Sequence, residues 1–188
     1  MDWFALLSDP VAASAVAGSV ALIVFAAAWH KFSEPDVFAG ALDAYRLLPD
    51  AGVMPIARLL PFVEAAIGIV ALIPATRHFG LLAFAGLVVL YAVAIAINLA
   101  RGRHQIDCGC GADVHLLSWG LVLRNGLLAC VALAMTGPSV DRPYEWLDAV
   151  TLIAGVLALY GSYLTFDELL RQFGRIAQLQ AKHSGVVS

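Results

Sequence analysis

The sequence predicts an all-α membrane protein, a polytopic bundle of about five transmembrane helices with one amphipathic helix at the membrane interface. Three observations support this fold class. Of the 188 residues, 61% are hydrophobic and only 13% are charged, whereas soluble domains carry about 25% charged residues. The apolar residues fall into five long runs. These runs are continuous and rich in Ala and Leu rather than alternating, which favours helices over strands.

The five runs are the predicted membrane spans, since a helix needs about 20 mostly apolar residues to cross the hydrocarbon core. Their expected bounds are 11–32, 57–74, 79–100, 119–136 and 146–166. A signal peptide would have Lys or Arg before its apolar run, and none precedes the first run here. We therefore interpret the first run as a retained span. The spans form a single bundle domain over residues 1–170, followed by a polar tail over 171–188 that is expected to be helical and to fray beyond His183.

The segment between the first two spans, residues 33–56, is amphipathic rather than spanning. Its apolar residues recur at helical spacing and include Phe38, Tyr45 and Leu48, whereas charged residues occupy the other side. Pro35 suits a helix start and Pro49 a helix end. This pattern predicts a helix that lies along the membrane surface.

The distribution of Lys and Arg predicts the orientation of the chain. With five spans, one membrane face collects most of the basic residues: Lys31, Arg46, Arg58, Arg101, Arg103, Arg171, Arg175 and Lys182. The other face has Arg77 and Arg142. The first face is therefore expected to be cytoplasmic, with the N-terminus outside and the loop 101–118 inside.

That loop contains Cys108-Gly109-Cys110, two thiols one residue apart. Glycine between them permits the tight backbone that a small disulfide ring requires. A redox pair is the favoured interpretation. Nearby cations such as Arg103 would promote the reactive thiolate, whereas Asp107 and Asp113 oppose it, so the sequence leaves the direction of the cysteine pKa shift open. A structural turn with incidental cysteines remains open. So does a zinc site, whose ligands would be Cys108, Cys110, His104 and His115, although a one-residue thiol spacing suits zinc poorly.

Further polar residues are expected at the same membrane depth as the thiols, and we predict a supporting role for His30, Lys31, Glu64, Asn98, Arg101 and His104. Glu64 lies within the second span, where a charge that faces lipid is costly. We therefore expect it to face the bundle and to pair with Lys31 or Arg101. Cys130 lies in the fourth span, where a cysteine is usually a small buried apolar residue; a third redox thiol is the alternative.

Several motifs together resemble a known family. They are Trp29-His30-Lys31-Phe32, then Phe38 with 45–49, then Pro61 with Glu64, and finally Asp107-Cys108-Gly109-Cys110-Gly111. In combination they are similar to the MauE methylamine utilisation proteins, which belong to a broader DoxX-like group of small membrane proteins. The resemblance extends from the first span through the fourth.

The resemblance implies a function and partners. MauE proteins are associated with maturation of the periplasmic methylamine dehydrogenase small subunit, which carries many disulfides, and with a thioredoxin-like protein, MauD. Cys108 and Cys110 would then be the exchanging thiols, and Glu64 would match a carboxylate of the family's second span. The expected location is the bacterial inner membrane, in contact with lipid. We predict no resident cofactor, no metal and no nucleic-acid partner.

Two other classes of function stay open. One is a non-catalytic anchor or docking scaffold for MauD or the nascent subunit, and the other is a small transporter of thiols or metal. The predicted orientation also conflicts with a periplasmic client, because it puts the thiols on the cytoplasmic side. Either the chain conducts reducing equivalents across the membrane, or the orientation is inverted.

Overall fold

A computed structural model of the chain describes residues 9–103, 105–108, 116–137, 143 and 145–184. These residues form six helices in the following order: α1 Pro10–Ser33, α2 Pro35–Ala44, α3 Asp50–Leu72, α4 Arg77–Ala100, α5 Trp119–Ala134 and α6 Trp146–Ser184. The predicted all-α fold class is confirmed.

The helices have the length and composition of membrane spans. Four are long and apolar enough to cross a bilayer, namely α1, α3, α4 and the stretch Trp146–Gly174 of α6. The apolar helix α5 is shorter, with 16 residues, and so rises about 24 Å at about 1.5 Å per residue. The chain is therefore a multi-pass membrane protein.

The interfacial segment is shorter than the sequence predicts. The surface helix α2 ends at Ala44, and the chain then turns through Arg46, whose φ is +48°. The third helix begins at Asp50 and runs through Pro55 and Pro61 without a break. Helices packed against neighbours in a membrane tolerate such prolines because local adjustments satisfy the freed carbonyls.

Helix α1 is the centre of the bundle. It packs most extensively against α3 and also against α6, while α4 packs against α5 and α3, and α2 lies on α3. The core between α1, α3, α4 and α5 is apolar and includes Val24, Ile67 and Phe84. Small residues bring helices close together: a Cβ on Gly80 of α4 would lie 2.4 Å from the backbone nitrogen of Ala71 in α3.

Helix α6 is peripheral and long. None of the most apolar 18-residue window within Trp146–Gly174 is buried inside the bundle, which leaves an apolar surface suited to lipid. The helix does not end near 166, where the fifth span was predicted to end; it continues to Ser184. The polar tail is helical over residues 171–184, as the sequence predicts, and it continues the last span because residues 166–170 contain no Gly or Pro that would stop the helix.

Candidate functional site

Cys108 lies in the connection between α4 and α5, and the two ends of this connection are paired. Asp107 and Leu116 form an isolated antiparallel bridge, and the amide of Leu117 donates to the carbonyl of Ile106 at 3.0 Å. Residues 109–115, which include Gly109 and Cys110, lie outside the described part of the chain. The bridge holds the two described ends of this connection together next to Cys108.

Cys108 is buried and disulfide-bonded. Its exposed fraction is 7%, and it packs in an apolar cluster with Tyr45, Ile95 and Leu121. Cys130 is a free thiol and is therefore not the disulfide partner of Cys108.

The surface helix contributes directly to the environment of Cys108. The hydroxyl of Tyr45, which follows α2, donates to the carbonyl oxygen of Cys108 at 3.3 Å. Burial raises the pKa of Tyr45 above its usual value of 10.0, and the charge of Asp107 raises it further, while Arg124 acts in the opposite direction. The hydroxyl therefore stays protonated at physiological pH and remains a donor.

The end of α4 is tied to the same region through Arg103. Its guanidinium donates to the carbonyl of Tyr45 at 3.4 Å and to Oδ1 of Asn98 at 3.2 Å. Asn98 is fully buried, and its amide nitrogen donates to the carbonyl of Ala94 at 3.1 Å. Asn98 thus positions Arg103, which in turn holds the backbone of Tyr45.

Glu64 is buried inside the bundle and pairs with Lys31, not with Arg101. The Nζ atom of Lys31 lies 2.8 Å from Oε1 and 3.0 Å from Oε2 of Glu64, and the exposed fractions of the two side chains are 5% and 1%. The hydroxyl of Tyr91 donates to Oε1 at 2.7 Å. The aromatic ring of Phe38 lies 5.1 Å from Nζ, which adds a cation–π contact.

A second buried cation, Arg124 of α5, was not identified from the sequence. It forms an ion pair with Asp167 of α6, and its NH2 group donates to Oδ1 of Asn125 at 3.3 Å. The signal was present, because Arg124 is an ionisable residue well inside the predicted fourth span. Within the described residues, Nε of Arg124 and Nδ2 of Asn125 are buried without a hydrogen-bond partner.

These groups meet at one cavity of about 310 Å³. Its walls are mostly apolar and come from α1 to α6 and the connections that flank them. The polar or redox-active residues on its wall are Lys31, Glu64, Tyr45, Tyr91, Cys108, Arg124, Asn125 and Tyr163. The Lys31–Glu64 pair, the buried cation Arg124 and the buried Cys108 therefore line one space.

Three other predicted supporting residues, His30, Asn98 and Arg101, do not line this cavity. His30 is half-buried beside Lys31, Arg101 is exposed at the end of α4, and Asn98 acts through Arg103. His104 and Cys110 lie outside the described residues.

Cys130 is exposed on α5, so the prediction that it is a small buried residue is wrong. Its position on the helix points away from the apolar core rather than into it. Among the described residues, no three His, Cys, Asp or Glu side chains form a group that could hold a metal ion. This does not test the zinc alternative, since His104, Cys110 and His115 are outside that range.

Comparison with known proteins assigns the family. The family model described as methylamine utilisation protein MauE matches residues 3–137. The chain belongs to the MauE family. Three curated relatives named methylamine utilization protein MauE agree with this assignment. The relative from Paracoccus denitrificans is 37% identical over 157 residues, covering 81% of this chain and 84% of the relative.

The second relative, from Methylophilus methylotrophus, is 33% identical over 172 residues, and the match covers 86% of this chain and 87% of the relative. The third, from Methylorubrum extorquens, is 38% identical over 133 residues, covering 70% of this chain and 72% of the relative. No solved structure matches the chain significantly. Family membership confirms the resemblance seen in the motifs and associates the chain with methylamine utilisation.

Proposed function

We propose that this chain is a membrane thiol–disulfide redox protein that supports disulfide formation in the methylamine dehydrogenase small subunit. Its direct partner would be a thioredoxin-like protein of the MauD type. The observation that carries this proposal is the disulfide at Cys108, seated against the membrane bundle in a member of a methylamine utilisation family.

The burial of Cys108 assigns different roles to the two cysteines of the motif. A partner protein needs access to the sulfur that its thiolate attacks. Cys108 is 7% exposed and packs under Tyr45, which argues against direct attack there. In this proposal, therefore, Cys110 exchanges with the partner, and Cys108 is the cysteine that faces the membrane interior.

The exchange proceeds in two balanced steps. A thiolate of the reduced partner attacks the sulfur of Cys110, which forms a mixed disulfide and releases Cys108 as a thiolate. The partner's second thiolate then attacks the mixed disulfide and releases Cys110. The partner gains a disulfide, and two electrons and two protons end on the cysteines of this chain. The oxidised partner can then oxidise its client.

The exchange must take place on the side of the membrane where the partner is located. The count of basic residues predicts a cytoplasmic loop, whereas a periplasmic partner requires the opposite. Labelling of intact cells with a membrane-impermeant maleimide distinguishes these orientations, and prompt labelling of the reduced protein would exclude the cytoplasmic placement. We also propose that the chain is located in the bacterial inner membrane.

The proposal is tested by replacing both cysteines. In cells that carry Cys108→Ser with Cys110→Ser, the small subunit should accumulate with free thiols, as counted by a maleimide mass tag. Cys130→Ser is the matched control and should leave its disulfides complete. Full maturation with the double variant would contradict the proposal and support a docking scaffold instead.

A further inference from the structure

We propose that the cavity beside Cys108 binds the ring of a lipid-soluble quinone, which accepts the electrons that thiol–disulfide exchange leaves on the cysteines. This inference rests on the proposed function, because that function needs an electron acceptor to restore the disulfide. It adds a substrate class and a binding site. Four properties of the cavity support it.

The first property is size. The cavity has a volume of about 310 Å³. An apolar cavity of about 150 Å³ in another protein is enough to bind benzene. The space is therefore about twice what an unsubstituted aromatic ring needs, and a substituted ring fits. The mostly apolar walls, with Phe84 and Leu128 among them, match the faces of such a ring.

The second property is a route to the bilayer. Two residues of the cavity wall, Leu90 on α4 and Leu47 after α2, are 61% and 37% exposed on the outside of the bundle. Leu90 lies in a span, so its exposed side faces lipid. A ligand that enters there comes from the membrane, and an attached hydrocarbon tail can remain in it.

The third property is a pair of unused hydrogen-bond donors. Nδ2 of Asn125 and Nε of Arg124 are buried without partners among the described residues, and both residues line the cavity. Buried donors without partners are costly and usually mark a missing ligand or water. Three other polar groups on the wall are already bonded, since Lys31 and Tyr91 donate to Glu64 and Tyr45 donates to the carbonyl of Cys108. Arg124 and Asn125 are therefore residues of the wall that keep an unbonded donor, and the carbonyl oxygens of a quinone, unlike a hydrocarbon chain, supply acceptors.

The fourth property is the chemistry of the wall. Cys108 lines the cavity, so the disulfide is formed and broken at its edge. Two thiols lose two electrons and two protons as the S–S bond forms, and the quinone takes up both to become a quinol. Negative charge builds on the ring oxygens during this transfer, and the guanidinium of Arg124 is placed to stabilise it.

The test uses the full chain in detergent, reduced with dithiothreitol, desalted and mixed with decylubiquinone. Loss of quinone absorbance and loss of thiols by maleimide mass tagging are followed together. We expect one quinone reduced for each disulfide formed. Ala27→Phe fills the cavity from α1 and should lower the quinone-dependent rate by about tenfold or more. Ala26→Phe is the matched control, because Ala26 is exposed and does not line the cavity, and it should keep the wild-type rate.

A second variant tests the hydrogen bond without adding a charge. Asn125→Leu keeps the branched shape and the number of side-chain heavy atoms but removes the Nδ2 donor, and Arg124 keeps its ion pair with Asp167. It should raise the KM for decylubiquinone by about tenfold, as expected for one lost hydrogen bond. Removal of Nδ2 without any change in KM would exclude Asn125 as a ligand-binding group.

Failure of this inference and failure of the proposed function give different results. If the reduced chain exchanges with a thioredoxin-like disulfide but decylubiquinone does not oxidise it, the quinone site is wrong and the exchange function stands. The quinone site is also wrong if Ala27→Phe and Ala26→Phe react equally fast. If the chain exchanges with no protein disulfide at all, both are wrong.

Discussion

Lys31 Nζ lies 2.8 Å from Glu64 Oε1, and this buried ion pair joins the C-terminal end of α1 to the middle of α3. Helices inside a bilayer gain little from the hydrophobic effect when they associate, so such polar contacts have a large share in fixing their register. The pair also forms one wall of the cavity next to Cys108. It therefore connects the stability of the bundle to the shape of the candidate site.

Removing one charge of this pair should destabilise the protein more than removing both charges. Glu64→Gln leaves the ammonium of Lys31 buried without a counter-ion, and we expect the free energy of unfolding to fall by about 3–5 kcal/mol. Lys31→Met combined with Glu64→Leu removes both charges and should recover most of that loss. Unfolding in mixed micelles by titration with a denaturing detergent measures these differences.

The control for the ion pair is Glu34→Gln, since Glu34 is exposed between α1 and α2. Its effect should stay within about 0.5 kcal/mol. A double variant as unstable as Glu64→Gln would contradict the coupling and assign the effect to packing.

Tyr45→Phe should loosen the segment that carries Cys108. The substitution removes the 3.3 Å hydrogen bond to the carbonyl of Cys108, and one such bond contributes about 1 kcal/mol. We expect a loss of that size in the free energy of unfolding and faster reduction of the disulfide by a phosphine, measured by thiol tagging. An unchanged reduction rate would show that the hydroxyl does not restrain Cys108.

The same hydroxyl gives a pH dependence with a defined sign. The folded protein holds the Tyr45 proton more tightly than the unfolded chain, whose pKa is about 10.0. Its contribution to stability is therefore complete below pH 10.0 and is lost as the pH rises through the higher folded-state pKa. Above that pH, the free energy of unfolding of the wild-type protein should no longer exceed that of Tyr45→Phe. Unfolding both proteins in parallel at increasing pH measures this difference.

Single cysteine variants should separate the roles of the two sulfurs. With Cys108→Ser, the thiol of Cys110 should trap a thioredoxin-like partner as a stable mixed disulfide, seen as a shifted band without reductant. With Cys110→Ser, trapping should be weak, because Cys108 is buried and a partner's sulfur cannot reach it. Equal trapping by both variants would contradict the assignment, and Cys130→Ser should behave as the wild type.

Gly80→Ala should be strongly destabilising, because the added Cβ would lie 2.4 Å from the backbone nitrogen of Ala71. Helices α3 and α4 must then separate, and we expect a loss of about 2 kcal/mol or more, as in overpacked cores. Gly86→Ala on the same helix meets nothing within 4 Å. It should be neutral or stabilising by up to about 1 kcal/mol through helix propensity. Equal melting temperatures for the two variants would mean that α3 and α4 are not in close contact at Gly80.

Much of the architecture was predictable because the bilayer restricts what apolar sequence can form. Continuous apolar runs must be helices there, since lipid offers no partner for the backbone polar groups. The same argument identified Glu64, a lone carboxylate within a span whose burial required a cation. The same argument would have identified Arg124, which is also an ionisable residue within a predicted span, on α5.

Boundaries and pairings were harder to predict. The second span was predicted to begin at residue 57, yet α3 begins at Asp50 and includes Pro55 and Pro61, because packing against α1 and α2 outweighs the cost of two prolines. The choice of Lys31 over Arg101 as the partner of Glu64 depends on how α1 is rotated against α3. Cys130 differs from its predicted burial for the same reason, since rotation of α5 places it outside.

The sequence by itself determined the membrane class, the helical fold, the family and the cysteine motif at one membrane face. Each of these follows from local composition or from motifs that can be read along the chain. Only the tertiary structure brought Cys108, the Lys31–Glu64 pair and Arg124 around one apolar cavity. The physical reason is that the cavity is formed by side chains from several helices, whose mutual rotation and depth are set by packing and by buried ion pairs rather than by any local pattern.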